Sequence, residues 1–195
     1  IEPHFLFNTL ATINVLIESD SAKAKLMLEK LTDLLRVTLK NSRTEQSTIA
    51  QEVDLLDAYL NIQKIRLDER LAFSIETHDI SDQQMIPPFL IQPLVENALT
   101  HGIEPKAAGG QVNIRIAQQA EQLKIEVSDN GAGLKTPSVN TGHGVGLSNI
   151  RQRIETLYGD KASLTITEQA SGGVVSTILL PLISETSSEN AELVL

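Results

Sequence analysis

A chain of 195 residues with a formal charge of −9 is long enough for one or two domains and ill suited to a nucleic-acid backbone, so any anion site must be local. Apolar residues make up 41% of it but aromatic ones only 3%, so its core must be built from Leu, Ile, Val and Ala. With no cysteine, disulfides, thiol catalysis and cysteine-bound metals are excluded, and His4, His78, His101 and His143 show no metal-ligand spacing.

The chain opens at Ile1-Glu2-Pro3 without Met, which reads as a fragment of a longer protein whose upstream part could be membrane-bound. No apolar run reaches membrane length and no signal peptide is visible. From Pro3 to Leu39 the pattern is helical. Leu6, Leu10, Ile13 and Ile17 form one stripe, and Ala24, Leu28, Leu31 and Leu35 another. Ser19-Asp20-Ser21 between them is N-cap material and predicts a break. Asn41 to Ser47 reads as a loop. Thr48-Ile-Ala-Gln51 reads as a capping box opening a third helix to about Arg70. That helix has two apolar stripes: Ile49, Val53, Leu56, Leu60 and Leu67, then Leu55, Tyr59 and Ile62. Two stripes predict packing on more than one neighbour, in a bundle that a second copy would complete.

Near Leu71 the period changes to that of a strand, Leu71 to Thr77. Pro87-Pro88 is expected to open a helix running to about Gly102. Strands follow at about Gln111 to Gln118, Leu123 to Asp129, Ser163 to Glu168 and Val174 to Leu180. Helices alternating with hairpin-connected strands predict an α+β fold, with helices on one face of a mixed sheet. Beyond Leu182 the composition turns to Ser, Glu and Asn, so residues 183–195 read as a disordered tail.

The stretch Ile125 to Asn149 carries the chemistry. Asp129 is in phase with Leu123, Ile125 and Val127, so it points inward, where a carboxylate needs a partner. An acceptor-only group at a strand end, followed by Gly131 and Gly133, suits an exocyclic amine such as that of adenine. Gly142, Gly144 and Gly146 precede an amphipathic segment, Leu147 to Leu157, whose first backbone N–H groups suit phosphate. Alone, either cluster is better read as a turn or a flexible loop. Together with the helix from Pro88 they describe an ATP pocket. On that helix Asn97 and His101 share a face with Pro93 and Leu90. A buried Asn there either ties two backbone segments together or offers an amide oxygen to a hard cation such as Mg²⁺. Glu96 reads as a surface residue.

Leu94-Val-Glu-Asn97-Ala-Leu-Thr-His101-Gly102, Asp129-Asn-Gly131-Ala-Gly133 and Gly142-His-Gly144-Val-Gly146-Leu147 resemble the N, G1 and G2 boxes of the GHKL (Bergerat) ATP-binding fold. Pro3-His4-Phe5-Leu6-Phe7-Asn8, with Leu90-Ile-Gln-Pro-Leu-Val-Glu-Asn97 downstream, is similar to the LytS-like branch of sensor histidine kinases. The resemblance covers the chain to about Leu182. It implies that Asn97 binds Mg²⁺ bridging the phosphates of ATP and that Asp129 receives the adenine amine. Gly131 and Gly133 would shape that wall, Gly142, Gly144, Gly146 and Leu147 the phosphate lid, and His4 would be the phosphoacceptor. The residues flanking His4, Phe5 and Phe7, would by themselves suggest only a part-buried helix histidine. Asn8, one helical turn on, could hydrogen-bond near it. Many GHKL ATPases place a carboxylate four residues before the Asn to polarise water. Here that residue is Pro93, so the pocket should activate no water of its own. Thr100 stands where the family often has a basic residue, which leaves phosphate charge to His101, Arg151, Arg153, Mg²⁺ or the lid. Val174 stands where a Thr often follows the last-strand Gly, which leaves Thr177 as an adenine contact.

The expectation is therefore the cytoplasmic kinase core of a bacterial sensor. Residues 1–70 would form a helical dimerisation and phosphotransfer region, and residues 71–182 an ATP-binding domain with a mixed sheet. Phosphate would pass from ATP to His4 and then to an Asp of a response regulator, often of the LytTR type by the resemblance. The core would be a homodimer at the cytoplasmic face of the cell membrane, without direct membrane contact or nucleic acid. The rivals are a GHKL ATPase or serine kinase, and a non-catalytic nucleotide-sensing docking module.

Overall fold

The computed structural model describes residues 3–41, 44–133 and 145–182. Helix α1 (Pro3–Ser19) breaks at Asp20, whose carboxylate accepts the Lys23 N–H at 3.0 Å and caps α2 (Ser21–Asn41). The expected stripes are buried only in part, at Ile13, Ala24 and Leu31. Phe5, Thr9 and Ile13 of α1 and Ala24, Met27, Leu31 and Leu34 of α2 are buried, whereas Leu10, Ile17, Leu28 and Leu35 are exposed. Both helices are apolar around more than one face, and packing within the chain uses only one of them.

The segment expected as a loop ends in a strand, β1 (Ser47–Thr48). Helix α3 (Ile49–Leu67) then opens on the expected reciprocal cap: the Gln51 N–H donates to Thr48 Oγ1 at 3.2 Å, and Gln51 Oε1 accepts the Thr48 N–H at 3.0 Å. Ile49, Leu56 and Leu60 of one stripe and Leu55, Tyr59 and Ile62 of the other are buried, because α3 lies between α2 and the first long strand, β2 (Leu71–His78). A short 3-10 turn, Asp68–Arg70, joins α3 to β2.

The entry to the next helix differs from expectation. Strand β3 (Met85–Ile86) pairs antiparallel with β1, and Pro88–Phe89 forms a turn in which Phe89 has φ +55°, a region bulky residues seldom adopt. Helix α4 (Gln92–Asn97) begins only at Gln92, with Pro93 in its first turn. The left-handed Phe89 keeps the helix from starting earlier, and Glu52, a fully buried carboxylate near the start of α3, holds the turn by accepting the Phe89 N–H at 2.9 Å and the Leu90 N–H at 3.2 Å. Beyond Asn97 the backbone widens into a π-helix, Ala98–Ile103, with the Glu104 N–H bonded to the Leu99 carbonyl at 2.9 Å.

Strands β4 (Gly110–Gln119), β5 (Gln122–Asp129), β6 (Ser163–Glu168) and β7 (Val174–Pro181) complete a five-stranded sheet of order β2-β4-β5-β7-β6. The β2–β4 pair is parallel, because the chain crosses over through α4, and the other pairs are antiparallel. Val112, Ile114, Ile125, Val127 and Ile178 face inward beneath Leu94, Leu99, and Ile150 and Ile154 of α5 (Val145–Tyr158). Helices on one face of a mixed sheet are the expected α+β layers.

Candidate functional site

Asp129 closes β5 with its side chain turned inward, only 4% exposed. Burial pushes its carboxyl above the ordinary value of 3.8, against the opposing pull of the Gly131 and Val174 amides and the Lys106 charge. The Gly131 N–H donates to Asp129 Oδ1 at 2.8 Å, and the Ala132 N–H donates to the Gly102 carbonyl at 2.9 Å. The turn after β5 thus lies directly on the π-helix. A Cβ at Gly102 would stand 2.5 Å from Asp129 Oδ1, and one at Gly131 would strike the Gly102 backbone. Gly131→Ala must therefore part the turn from the π-helix and swing Asp129 with it. Its expected cost is about 1–3 kcal/mol of stability, checked by thermal unfolding, with at least about tenfold weaker ATP binding.

Asn97 ends α4, five residues before Gly102 in a wide turn, and is half-buried. Its side-chain amide makes no hydrogen bond to any described residue, so the alternative that it ties two backbone segments together does not apply among them. A half-buried amide oxygen without a protein partner fits a hard cation. Pro93 lies one turn earlier on α4, and Gly146 of α5 sits against it, with a Cβ there 3.8 Å from Pro93 Cβ. The α5 N-terminus, with Leu147 half-buried, therefore lies beside the helix that carries Asn97. No carboxylate occupies the Pro93 position.

The remaining expected residues divide. His101 lies in the π-helix and is exposed. Gly133 follows the turn at φ +76° and packs against Glu168. Gly142 and Gly144 lie outside the described residues, as does the 183–195 tail. His4 lies in the first turn of α1, its side chain outside the description, and Asn8 one turn later is half-buried. The next residue, Phe5, packs on Tyr59 of α3 with ring centroids 4.9 Å apart.

Two expectations need correction. Thr177 is paired with Glu126, so it faces away from Asp129. Ser176, paired with Val127 and buried, is the β7 residue on the pocket side. Arg153 donates to the Pro88 carbonyl at 2.6 Å, which ties α5 to the turn before α4. Glu96 is half-buried, not superficial. Its carboxylate accepts Gln92 Nε2 at 2.8 Å and, after burial, is the main cause that raises the Tyr59 hydroxyl pKa. Sequence reasoning also missed Gly173, where a Cβ would strike the Asp129 carbonyl; the pair Gly172-Gly173 ahead of a strand was its only signal.

An adenine amine held at Asp129, as the sequence predicts, would need an ionised acceptor and would give the site a pH signature. Because the Asp129 pKa is raised, ATP affinity is expected to fall as pH drops through that elevated value, above the range of an exposed aspartate. Titration of ATP binding against pH checks it; Asp129→Asn should lack the step.

A family model described as "Histidine kinase" matches residues 1–71, and one described as "Histidine kinase-, DNA gyrase B-, and HSP90-like ATPase" matches residues 88–184. The chain is 31% identical over 189 residues to the sensor protein LytS of Staphylococcus epidermidis, covering 92% of this chain and 32% of that protein. It is 34% identical over 181 residues to the sensor histidine kinase BtsS of Escherichia coli, covering 93% of this chain and 32% of that one. The chain thus spans about one third of the length of the curated relatives it matches. Among solved structures, the histidine kinase domain of the EL346 blue-light activated histidine kinase from Erythrobacter litoralis matches with a TM-score of 0.54 at 17% identity. That match covers 88% of this chain and 83% of the other, and it speaks to the fold.

Proposed function

The chain belongs to the histidine kinase family, and from that membership we propose that it is the kinase core of a bacterial two-component sensor. It binds Mg-ATP, passes the γ-phosphoryl group to His4, and from there to an aspartate of a response regulator. The observation that carries this reading is the close packing of the Asp129 turn on the π-helix that follows Asn97. That packing sets the inward carboxylate of Asp129 on the helical turn that follows Asn97, whose amide has no hydrogen-bond partner among the described residues, and it supports adenine and a phosphate-bound metal ion at the two ends of one nucleotide.

Asp129 accepts the 6-amino group of adenine, and Gly131 and Gly133 let the ring approach the backbone. Asn97 is the side chain that would hold Mg²⁺, which when bound would neutralise phosphate charge. Gly142, Gly144, Gly146 and Leu147 cover the phosphates, with the α5 N-terminus supplying N–H donors. A neutral imidazole nitrogen of His4 attacks the γ-phosphorus in line; the N–P bond forms as the P–O bond to ADP breaks. With Pro93 where a water-activating carboxylate would stand, hydrolysis has no dedicated base, and the phosphoryl group is left to His4. Catalysis is mainly positioning. In this reading residues 1–70 dimerise and present His4, while residues 71–182 bind the nucleotide. The uncovered apolar faces of α1 and α2, with Leu10 at 50% and Ile17 at 58% exposure, support burial against a second copy. We place the core at the cytoplasmic face of the cell membrane and its regulator in the LytTR class. No described helix is long and apolar enough to cross a membrane.

Incubation with γ-labelled Mg-ATP tests the proposal. Acid-labile, base-stable label that disappears in His4→Gln is the expected result. Label that survives the substitution, or that is acid-stable, would overturn it.

A further inference from the structure

The turn that presents Asp129 is held from behind by one lysine. Lys106 Nζ donates to the Asn130 carbonyl at 2.7 Å, from a loop that follows the π-helix. That loop is fixed in its turn by the end of α3 and the 3-10 turn. Arg70 Nη2 donates to the Glu104 carbonyl at 3.0 Å and to the Lys106 carbonyl at 3.1 Å, and Arg66 is ion-paired with Glu104. The Gly109 N–H closes the loop on the Lys106 carbonyl at 2.8 Å, and a Cβ at Gly109 would strike the Arg70 carbonyl. On its far side Asn130 is pinned to the sheet, its Oδ1 accepting the Gln111 N–H at 2.7 Å. An unbroken run of contacts therefore leads from α3 to the residue next to the adenine acceptor.

This arrangement has a chemical consequence. An aspartate distinguishes adenine from guanine because it can only accept: it bonds a 6-amino group and repels a 6-oxo group. Discrimination of this kind depends on the acceptor being held in place, since a turn free to swing would bring Gly131 N–H or a water to the oxo group instead. Lys106 restrains the turn and sets a positive charge behind an acceptor that must stay ionised. Its stem is half-buried, and Arg70 fixes the backbone from which it reaches.

We propose that Lys106, seated by Arg70, is a positioning residue that sets the preference of this site for adenine over guanine. The proposal rests on the ATP reading of the pocket. Neither side chain touches the nucleotide; they act through the Asn130 carbonyl and the Asp129 turn.

Calorimetric binding of Mg-ATP, Mg-GTP and Mg-tripolyphosphate to the full 195-residue chain tests it. Lys106→Met keeps the stem and removes the donor. It is expected to reduce the ATP-over-GTP preference about tenfold, the scale of one charge-assisted hydrogen bond, with tripolyphosphate binding unchanged. Lys106→Arg should restore most of the preference. Arg70→Lys, whose ammonium lies one bond short of the Nη2 position that meets both carbonyls, should lower it in the same direction. Equal weakening of all three ligands would show general loosening and overturn the proposal, as would a preference within about twofold of wild type. Wild-type protein without adenine preference, or a preference untouched by Asp129→Asn, would instead sink the ATP reading and this inference with it.

Discussion

Asp129→Asn is expected to weaken ATP binding by about a hundredfold and to eliminate phosphoryl labelling, while α1 to α3 stay folded. The size follows from the donors around it. In the native site one buried carboxylate accepts the Gly131 N–H and has acceptor capacity left for the adenine amine. An asparagine keeps one acceptor oxygen and turns an NH₂ group toward one of two donors. Losing a charge-assisted bond and leaving a buried donor unmet comes to about 3 kcal/mol, or roughly two decades of affinity. Asn97→Asp separates the other wall: it should abolish labelling yet leave adenosine, which has no phosphate, bound as in wild type. Equilibrium binding of ATP and adenosine to both variants, beside the label, makes the comparison. Normal labelling of either variant would remove that residue from the pocket.

The inward turn of Asp129 was legible in the sequence because it is written in a short-range pattern. Asp129 is in phase with Leu123, Ile125 and Val127, and parity alone turns it inward. The same parity excludes Thr177. Val174, Ser176, Ile178 and Leu180 are the buried positions of β7, so Thr177 is out of phase with them, and a family pattern was allowed to outweigh a signal already present. What could not be read was decided by distant residues. Nothing near Pro87-Pro88 says that Glu52 will take the Phe89 and Leu90 amides and hold a turn ahead of the helix that starts at Gln92. Nothing in Pro105-Lys106-Ala107 says that its lysine braces a turn beside Asp129. For α1 and α2 the pattern was read as one apolar stripe on each helix, and of those stripes Leu10, Ile17, Leu28 and Leu35 stay exposed. Packing on α3 settles which face is covered within the chain.

The second large effect is at Glu52. Glu52→Ala is expected to destabilise the fold by about 3 kcal/mol or more, since it strands two N–H groups at the α4 entry, each worth about 1–3 kcal/mol unmet, and opens a cavity beside them. Glu52→Gln separates hydrogen bonding from charge. Its amide oxygen still accepts, but its NH₂ faces a donor, so it should fall between wild type and alanine in chemical denaturation. The pH dependence has a definite sign. Burial raises the Glu52 pKa above its ordinary 4.5, against the Phe89, Ile91 and Leu90 amides and the Ser47 hydroxyl. The folded state thus binds this proton more tightly than the unfolded chain does. The stabilisation from that proton is full below about pH 4.5 and is lost as pH rises through the elevated folded value. Wild type should show this slope and Glu52→Gln should not. Since Glu52 holds the turn leading into α4, both variants should also weaken Mg-ATP binding more than adenosine binding. A folded Glu52→Gln protein with wild-type Mg-ATP affinity would mean that the carboxylate supports the helix entry without reaching Asn97.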